Sequence, residues 1–134
     1  MKLKGRRITK GRAKGIALVS QKPLSFLGGV DPKTGIVTDA ESDIKGQNVK
    51  DKILIFPRGK GSTVGSYVIY QLKKNNVAPK AIVVENAETI VATGAIIAEI
   101  PMVDKIDIKK IRSGQIIEVD ADKGEVILHE GEGI

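Results

Sequence analysis

The residues best suited to chemistry in this sequence lie in one glycine-rich stretch near its centre. They are Arg58, Gly59, Lys60, Gly61 and Ser62. The two glycines carry no Cβ, so the backbone can turn until successive amide groups point at one anion. The arginine and the lysine add positive charge beside these amides. The pattern predicts a binding site for a negatively charged group next to the serine.

Ser62 has two interpretations. It is either the N-cap of a following helix, a role worth roughly 0.5–2 kcal/mol of stability, or a group that takes part in a reaction. A catalytic triad is disfavoured because the chain has one histidine, His129, which falls in a predicted terminal hairpin. A serine without a neighbouring base can still accept a proton if amides and cations stabilise its alkoxide. Ser62 is therefore a candidate proton acceptor.

The glycine spacing sets this loop apart from two common phosphate-binding motifs. Residues 59–62 lack the spacing of a Walker A loop. The pattern Gly59-x-Gly61-x-x-x-Gly65 is one residue longer than the dinucleotide-binding fingerprint, and Glu85 lies about where a ribose-binding carboxylate would be expected. A nucleotide- or phosphate-binding module that uses the loop from Gly59 to Gly65 is the alternative function.

Apolar runs and helical patterns alternate around this loop. The runs are short and rich in β-branched residues, as in strands buried on both faces, and the segments between them have helical spacing or many small residues. The order is strand 52–56, helix 63–75, strand 80–85, helix 87–98 and strand 102–103. This order predicts a central parallel β-α-β-α-β core with right-handed crossovers. The glycine-rich loop then follows the carboxyl end of a strand, where α/β sheets bind ligands.

Both ends of the chain predict further strands. Residues 6–9 and 15–20 flank a Gly/Lys-rich turn, and residues 115–119 and 125–128 form a hairpin. No linker or repeat divides the 134 residues, a length typical of one domain. We expect a single α/β domain over residues 1–134, with a second β layer built from the N- and C-terminal strands. Residues 130–134 are expected to fray.

A second glycine-rich segment, residues 27–35, precedes the parallel core. Its Gly28-Gly29 pair and the later Asp31-Pro32 step favour tight turns on either side of Val30. The segment is either a long connection between strands or a loop shaped to meet a ligand or a partner. In the second case Gly28, Gly29 and Asp31 belong to a site or an interface.

The composition excludes several classes of site. The chain has no cysteine and one histidine, so it offers no thiol nucleophile, no Cys-ligated zinc or iron–sulfur cluster and no multi-histidine metal site. No apolar run approaches the roughly 18 residues of a membrane span, and no secretory leader follows the first residues. We therefore expect a cytoplasmic protein without a membrane role and without a metal of its own.

The positive charge is concentrated at the N-terminus. The formal net charge is +6, and seven of the first fourteen residues are Lys or Arg. Such a cluster suits nucleic acid, an acidic partner or a solvated strand face. Aromatic residues make up only 3% of the chain, which leaves little to stack on bases. Nucleic-acid binding is accordingly the less favoured interpretation.

The two glycine-rich motifs, residues 28–35 and 57–62, stand at a separation and in a chain length that resemble the small subunit of the aconitase X family. The resemblance covers essentially the whole chain and implies a swivelling β/β/α domain. It implies a subunit of a hydro-lyase that removes water from (R)-5-phosphomevalonate to give trans-anhydromevalonate 5-phosphate. It also implies a large-subunit partner that carries an iron–sulfur cluster, and a small phosphorylated hydroxy-acid substrate.

The same resemblance assigns roles to residues of the loop. The serine that ends the Gly-x-Gly-Ser run, Ser62, is expected to be the base that takes the proton. Its neighbours are expected to bind substrate: Arg58, Gly59, Lys60, Gly61 and Thr63. In aconitase an arginine closely follows this serine and holds a substrate carboxylate, whereas Thr63 and Val64 follow it here. The residue that grips carboxylate or phosphate, and the choice between phosphomevalonate and a hydroxyproline-type substrate, therefore stay open.

Overall fold

The computed structural model describes residues 1–129, which form ten strands, two α-helices and one 3₁₀ turn. The helices are α1 (Gly65–Lys74) and α2 (Thr89–Ala98), and the 3₁₀ turn is Ile108–Lys110. The strands are β1 (Lys2–Lys4), β2 (Arg6–Thr9), β3 (Arg12–Val19), β4 (Leu24–Ser25), β5 (Ile53–Phe56), β6 (Gly59–Lys60), β7 (Ala81–Val84), β8 (Met102–Asp104), β9 (Ile116–Asp120) and β10 (Glu125–Leu128). The predicted fraying of residues 130–134 lies outside the described residues. None of the described helices is long and apolar enough to cross a bilayer.

One eight-stranded sheet carries the fold, in the order β1-β10-β9-β3-β5-β7-β8-β2. Its centre is parallel: β3 pairs with β5, β5 with β7, and β7 with β8. The parallel core predicted from the sequence is confirmed, and β3 adds a fourth parallel strand to it. β5 and β7 are buried along their whole length, which explains why their sequences read as continuous apolar runs.

The two helices cover one face of the parallel strands. Leu54 and Phe56 of β5 pack in one apolar cluster with Val68, Ile69 and Leu72 of α1. These helical residues recur at a spacing of one turn, so they lie on the side of α1 that faces the sheet. The packing fixes α1 at the exit of β5, with its first turn directly after the glycine-rich loop.

The terminal strands form the second β layer that the sequence predicted. The long strand β3 joins the layers, because its residues Arg12–Ile16 pair with β9 while Ala17–Val19 pair with β5. Side chains from the second face of the parallel strands, such as Ile55 and Val83, share a core cluster with Val119 and Val126 of β9 and β10. The expected β/β/α arrangement is therefore confirmed, with one continuous sheet supplying both β layers.

The two strands at the N-terminus are separated rather than paired. β2 lies at the edge of the sheet and pairs with β8, whereas β3 lies at the centre. The connection turns at Gly11, whose φ is +121°, a value that favours glycine. β2 finds its partner in β8, which lies far along the chain. A local sequence pattern does not encode such a contact.

Four of the seven N-terminal cations pair with three carboxylates of the chain. Lys2 and Lys4 lie 3.6 and 3.5 Å from the carboxylate of Glu125, and Arg12 lies 3.4 Å from that of Asp120. Arg6 pairs with Asp104. The carboxylates of Glu125, Asp120 and Asp104 are buried, so these cations compensate buried negative charge and the pairs lower the net field of the segment. The pairing favours a structural role for these cations over nucleic-acid binding.

Both helices begin later than the sequence predicted. Residues 63 and 64 form a tight turn, closed by the Gly65 amide on the Ser62 carbonyl at 2.9 Å, before α1 starts. α2 begins at Thr89 because Glu88 is extended and its carboxylate accepts hydrogen bonds from the amides of Ile90 and Val91. A carboxylate that caps its own helix ends the preceding loop at that residue.

The absence of a side chain at Gly94 lets the two helices touch. A Cβ at Gly94 would lie 2.6 Å from Cδ1 and 2.9 Å from Cβ of Ile69. We expect Gly94→Val to lower the free energy of unfolding by about 1–3 kcal/mol through overpacking, and Ile69→Ala to lower it by about 2–5 kcal/mol through a cavity. The double variant should lose less than the sum, because the valine fills the cavity. Urea denaturation of the wild-type chain, the two single variants and the double variant measures these free energies. Strictly additive losses would contradict the contact between Gly94 and Ile69.

Candidate functional site

The two glycine-rich motifs of the sequence meet at the carboxyl end of the parallel sheet. β4, which precedes Gly28, and β6, which precedes Ser62, pair in parallel as a separate two-stranded ribbon. The Leu24 amide donates to the Arg58 carbonyl at 3.1 Å. A shallow groove of about 360 Å³ lies beside the ribbon, lined by Ser25, Leu27, Gly28, Gly29, Asp39, Glu41, Lys60 and Gly61. Segments about thirty residues apart in sequence therefore share one surface.

Gly59 and Gly61 are required because neighbouring residues approach the loop backbone closely on both sides. Gly61 has φ +93°, and a Cβ there would lie 2.8 Å from Ser25 Oγ. A Cβ at Gly59 would lie 2.5 Å from Glu88 Oε1 and 2.5 Å from Val91 Cγ2. The loop backbone is therefore held between the β4 ribbon and the first turn of α2.

Ser62 lies exposed at the entrance to α1. Its Oγ accepts a hydrogen bond from the Val64 amide at 3.1 Å, and its carbonyl accepts one from the Gly65 amide. The backbone amides of Ser62 and Thr63 donate no hydrogen bond within residues 1–129. The N-cap residue of α1 is Val64 rather than Ser62. The serine instead holds the turn before the helix, while two neighbouring N–H groups stay available to an anion.

The charged side chains that precede Ser62 in the loop are positive. Arg58 and Lys60 are exposed, and neither forms an ion pair with any residue from 1 to 129. Asp39 and Glu41 line the opposite wall of the groove near Lys60. Together with the positive end of the helix dipole, the two cations make the loop a favourable position for an anionic ligand.

No group of side chains within residues 1–129 is placed to hold a metal ion at the loop. The sequence has no cysteine, and residues 1–129 contain no cluster of three or more His, Asp or Glu side chains placed to bind a metal ion. His129 lies in the second β layer, where its Nε2 is 3.3 Å from Glu118 Oε1 and its amide donates to the Ile116 carbonyl. The donor set of residues 1–129 does not fit an iron–sulfur cluster, which cysteine thiolates ordinarily hold.

Comparison with known proteins identifies the family. The model of the aconitase X swivel domain matches residues 2–128. The chain belongs to the aconitase X swivel-domain family. It is 78% identical over 130 residues to the phosphomevalonate dehydratase small subunit of Thermococcus sibiricus, covering 97% of this chain and 100% of that one. It is 50% identical over 136 residues to the protein of the same name from Methanosarcina acetivorans, covering 99% and 94%.

A solved structure agrees with the fold described above. The crystal structure of Thermococcus kodakaraensis aconitase X in its holo form matches this chain with a TM-score of 0.96 and 70% sequence identity, over 97% of this chain and 99% of that one. The β/β/α arrangement of this aconitase X swivel domain is therefore that of its structural relative. The resemblance inferred from the two glycine motifs is confirmed.

The structure brings most of the predicted site residues of the aconitase X domain together. Arg58, Lys60 and Ser62 lie in one exposed loop, and Gly28 and Gly29 line the same groove. Gly59, Gly61 and Thr63 belong to the loop as well. Their predicted roles in catalysis and substrate binding stay predictions, since their placement alone does not test a role.

Asp31 does not line this groove, unlike Gly28 and Gly29. Its Oδ1 accepts a hydrogen bond from the Lys33 amide at 2.9 Å, as in a turn. The carbonyl of the next residue, Pro32, accepts a hydrogen bond from Asn75 at the carboxyl end of α1 at 2.7 Å. The segment therefore runs from the site towards the far end of the helix, and Asp31 holds the turn there.

The nucleotide-binding alternative finds little support in the geometry. Gly65 does not approach a ligand position: a Cβ there would lie 3.1 Å from Ile90 Cγ2 and 3.6 Å from Phe26 Cβ, so this glycine serves packing between the helices and β4. Glu85 lies beside the loop, with its amide on the Pro57 carbonyl. Its carboxylate makes no hydrogen bond within residues 1–129, and nothing in that part of the chain positions it for a ribose.

Asp104 and Arg6 form a pair of positioning residues that the sequence analysis missed. Asp104 is fully buried and accepts a paired hydrogen bond from Arg6, Nε to Oδ1 at 3.0 Å and Nη2 to Oδ2 at 2.8 Å. This hydrogen bond and the charge of Asp104 raise the pKa of Arg6. Asp104 also accepts from the Ala87 amide at 3.2 Å. The pair thus ties the edge strand β2 to the segment that leads to Glu88 and α2.

The contact between Gly59 and Glu88 yields a test of how the loop is held. We expect Gly59→Ala to lower the free energy of unfolding by about 1–3 kcal/mol, because its Cβ overlaps Glu88 Oε1 and Val91 Cγ2. Lys60→Ala, the adjacent exposed position, should change it by less than about 0.5 kcal/mol. Combining Gly59→Ala with Glu88→Asp, whose shorter side chain recedes, should recover part of the loss. Equal chemical-denaturation midpoints for the two alanine variants would contradict the contact.

Proposed function

We propose that this chain is the small subunit of a phosphomevalonate dehydratase, a hydro-lyase that removes water from (R)-5-phosphomevalonate to give trans-anhydromevalonate 5-phosphate. Relatives that bear the name of this subunit are similar over 94% or more of this chain, at identities from 50% to 78%. The observation that carries the proposal is the exposed Ser62 loop. The loop offers one hydroxyl. Within residues 1–129, it also offers two amides that donate no hydrogen bond and two cations that form no ion pair.

Ser62 is the proton acceptor in this proposal. The proton to be removed lies on the carbon next to the substrate carboxylate, and the hydroxyl leaves from the adjacent carbon. A serine alkoxide needs stabilisation at neutral pH, and the Val64 amide already donates to Ser62 Oγ at 3.1 Å. A hydrogen bond to the charged form favours that form. The helix dipole and the charges of Arg58 and Lys60 act in the same direction.

The substrate carries a carboxylate and a phosphate, and this loop supplies groups for one of them. The free amides of Ser62 and Thr63 and the exposed side chains of Arg58 and Lys60 all belong to residues 58–63, directly before the helix. Gly59 and Gly61 leave the backbone open to close approach. Since no arginine closely follows Ser62, the anion is held by cations that precede the serine rather than by one after it.

The iron–sulfur cluster is proposed to reside in the large subunit, which this chain must contact to act. The cluster, where bound, supplies a Lewis acid for the leaving hydroxyl. The contribution of this chain is to place Ser62 Oγ at the proton and to bind one anionic end of the substrate. The division is consistent with the absence of cysteine from the sequence.

Substitution of Ser62 separates its two roles. Ser62→Ala in the complex with the large subunit should reduce turnover by about 10²–10⁴-fold while KM changes little, because the lost interaction belongs to the transition state. Loss of the Val64 hydrogen bond should cost the isolated chain roughly 0.5–2 kcal/mol. Steady-state kinetics of the reconstituted complex and thermal unfolding of the small subunit measure the two effects.

Ser62→Thr and Ser62→Asp serve as matched controls for the hydrogen bond from the Val64 amide. Both retain an oxygen that accepts from the Val64 amide, so both should restore stability. The aspartate side chain would also place a fixed negative charge where a substrate anion must bind, so Ser62→Asp should remain inactive. Near-normal turnover in a folded Ser62→Ala complex would end the assignment of Ser62 as base.

The proposal also predicts that the chain is inactive alone. Without cysteine and with one histidine, the purified small subunit should bind no iron and should not convert 5-phosphomevalonate. Addition of a brown, iron-containing large subunit should produce turnover. Turnover is measured as loss of the substrate by chromatography that separates the phosphorylated compounds. A parallel assay with a hydroxyproline identifies the substrate class. Turnover of 5-phosphomevalonate by the small subunit alone would refute this division.

A further inference from the structure

One exposed helical face of the molecule is apolar and continuous with the Ser62 loop. It consists of Thr63, Ser66, Tyr67, Tyr70 and Ile97, which line a groove of about 350 Å³ between α1 and α2. Tyr67 is 59% exposed and Ile97 is 55% exposed. The rings of Tyr67 and Tyr70 stack with centroids 6.1 Å apart. The face starts at Thr63, the residue that follows the proposed base.

The composition of α2 shows that this exposure is unusual for a surface helix. None of the residues of Thr89–Ala98 is charged, and the outward positions include Ile96 at 59% exposure as well as Ile97. A surface helix ordinarily turns a polar face to water, and one that is apolar all round is normally covered. Contiguous exposed apolar patches mark interaction surfaces, and tyrosine is enriched at the centres of such surfaces.

We propose that this helical face docks on the cysteine-bearing large subunit and so delivers Ser62 to the reaction centre. The inference rests on the proposed function, because it takes the cluster to lie on that subunit. Ser62 has to meet a substrate bound at the cluster, so the surface around the loop faces the large subunit. Since Thr63 belongs to both the loop and the helical face, the same approach covers Tyr67, Tyr70 and Ile97.

The geometry disfavours a second copy of this chain as the occupant. A symmetric dimer across the helical face would cover Thr63, next to Ser62, with a chain that has no cysteine to ligate the cluster. The partner surface should instead be apolar, with acceptors for two tyrosine hydroxyls, neither of which makes a hydrogen bond within residues 1–129. Lys74, whose Nζ lies 5.9 Å from the Tyr70 ring centroid, bounds the face at its far end.

The test measures the dissociation constant between the large subunit and variants of the whole small subunit. Tyr67→Ala and Ile97→Glu should each raise Kd by at least about 30-fold, the effect of removing an interface hot spot. Ile16→Glu, which introduces the same charge at an exposed isoleucine in the part of β3 that pairs with β9 (47% exposed), should change Kd by less than about 3-fold. Thermal unfolding of each isolated variant checks that the helices remain intact.

The outcomes distinguish this inference from the proposed function. With excess small subunit, the Tyr67→Ala complex should regain the wild-type kcat, because Tyr67 contacts neither substrate nor base. Unchanged Kd for both face variants would overturn the docking surface and leave the function standing. Self-association of the wild-type chain, abolished by Ile97→Glu with Kd for the large subunit unaltered, would assign the face to a homodimer and equally overturn it. A wild-type complex that forms without converting 5-phosphomevalonate would instead refute the function.

Discussion

The structure of the site depends on the confinement of the Gly59 backbone between two elements. On one side β6 pairs with β4, and on the other Gly59 leaves no room for a Cβ beside Glu88 and Val91. The buried strand β5 and the helix α1 then fix the two ends of the loop. Ser62 is exposed, yet the backbone on which it stands has little freedom. Such support from neighbouring elements is what holds a reacting group within the narrow tolerance that catalysis requires.

A structural role and a catalytic role of Ser62 are compatible. The hydrogen bond from the Val64 amide to Ser62 Oγ at 3.1 Å holds the turn that precedes α1, whose N-cap residue is Val64. The same bond also stabilises negative charge on that oxygen. A hydroxyl that must become a base benefits from a donor that is already oriented, because no reorganisation is then needed when the charge develops. The local interaction that holds the turn before the helix is thus the interaction that would activate the serine.

Local sequence was sufficient for the parts of the fold that depend on local pattern. The buried runs of β5 and β7 and the helical spacing of α1 predicted the parallel core, and the glycine spacing located the loop. It was insufficient where a residue's partner is distant in sequence. Asp104 pairs with Arg6, ninety-eight residues away, and the Pro32 carbonyl accepts a hydrogen bond from Asn75 at the far end of α1. Such contacts depend on how strands are ordered in the sheet, which no local pattern states.

The shallowness of the groove accords with the proposed division of the site between two chains. An enzyme that holds its substrate within one chain usually surrounds it in a deep pocket. Here the proposed base lies on an open loop, and within residues 1–129 the ion pairs engage the N-terminal cations rather than Arg58 and Lys60. The apolar helical face begins one residue beyond Ser62, so docking through it would close the groove from the side of the helix. Water would then be excluded only once both subunits are in place, which confines the strengthened electrostatics of a dry site to the assembled enzyme.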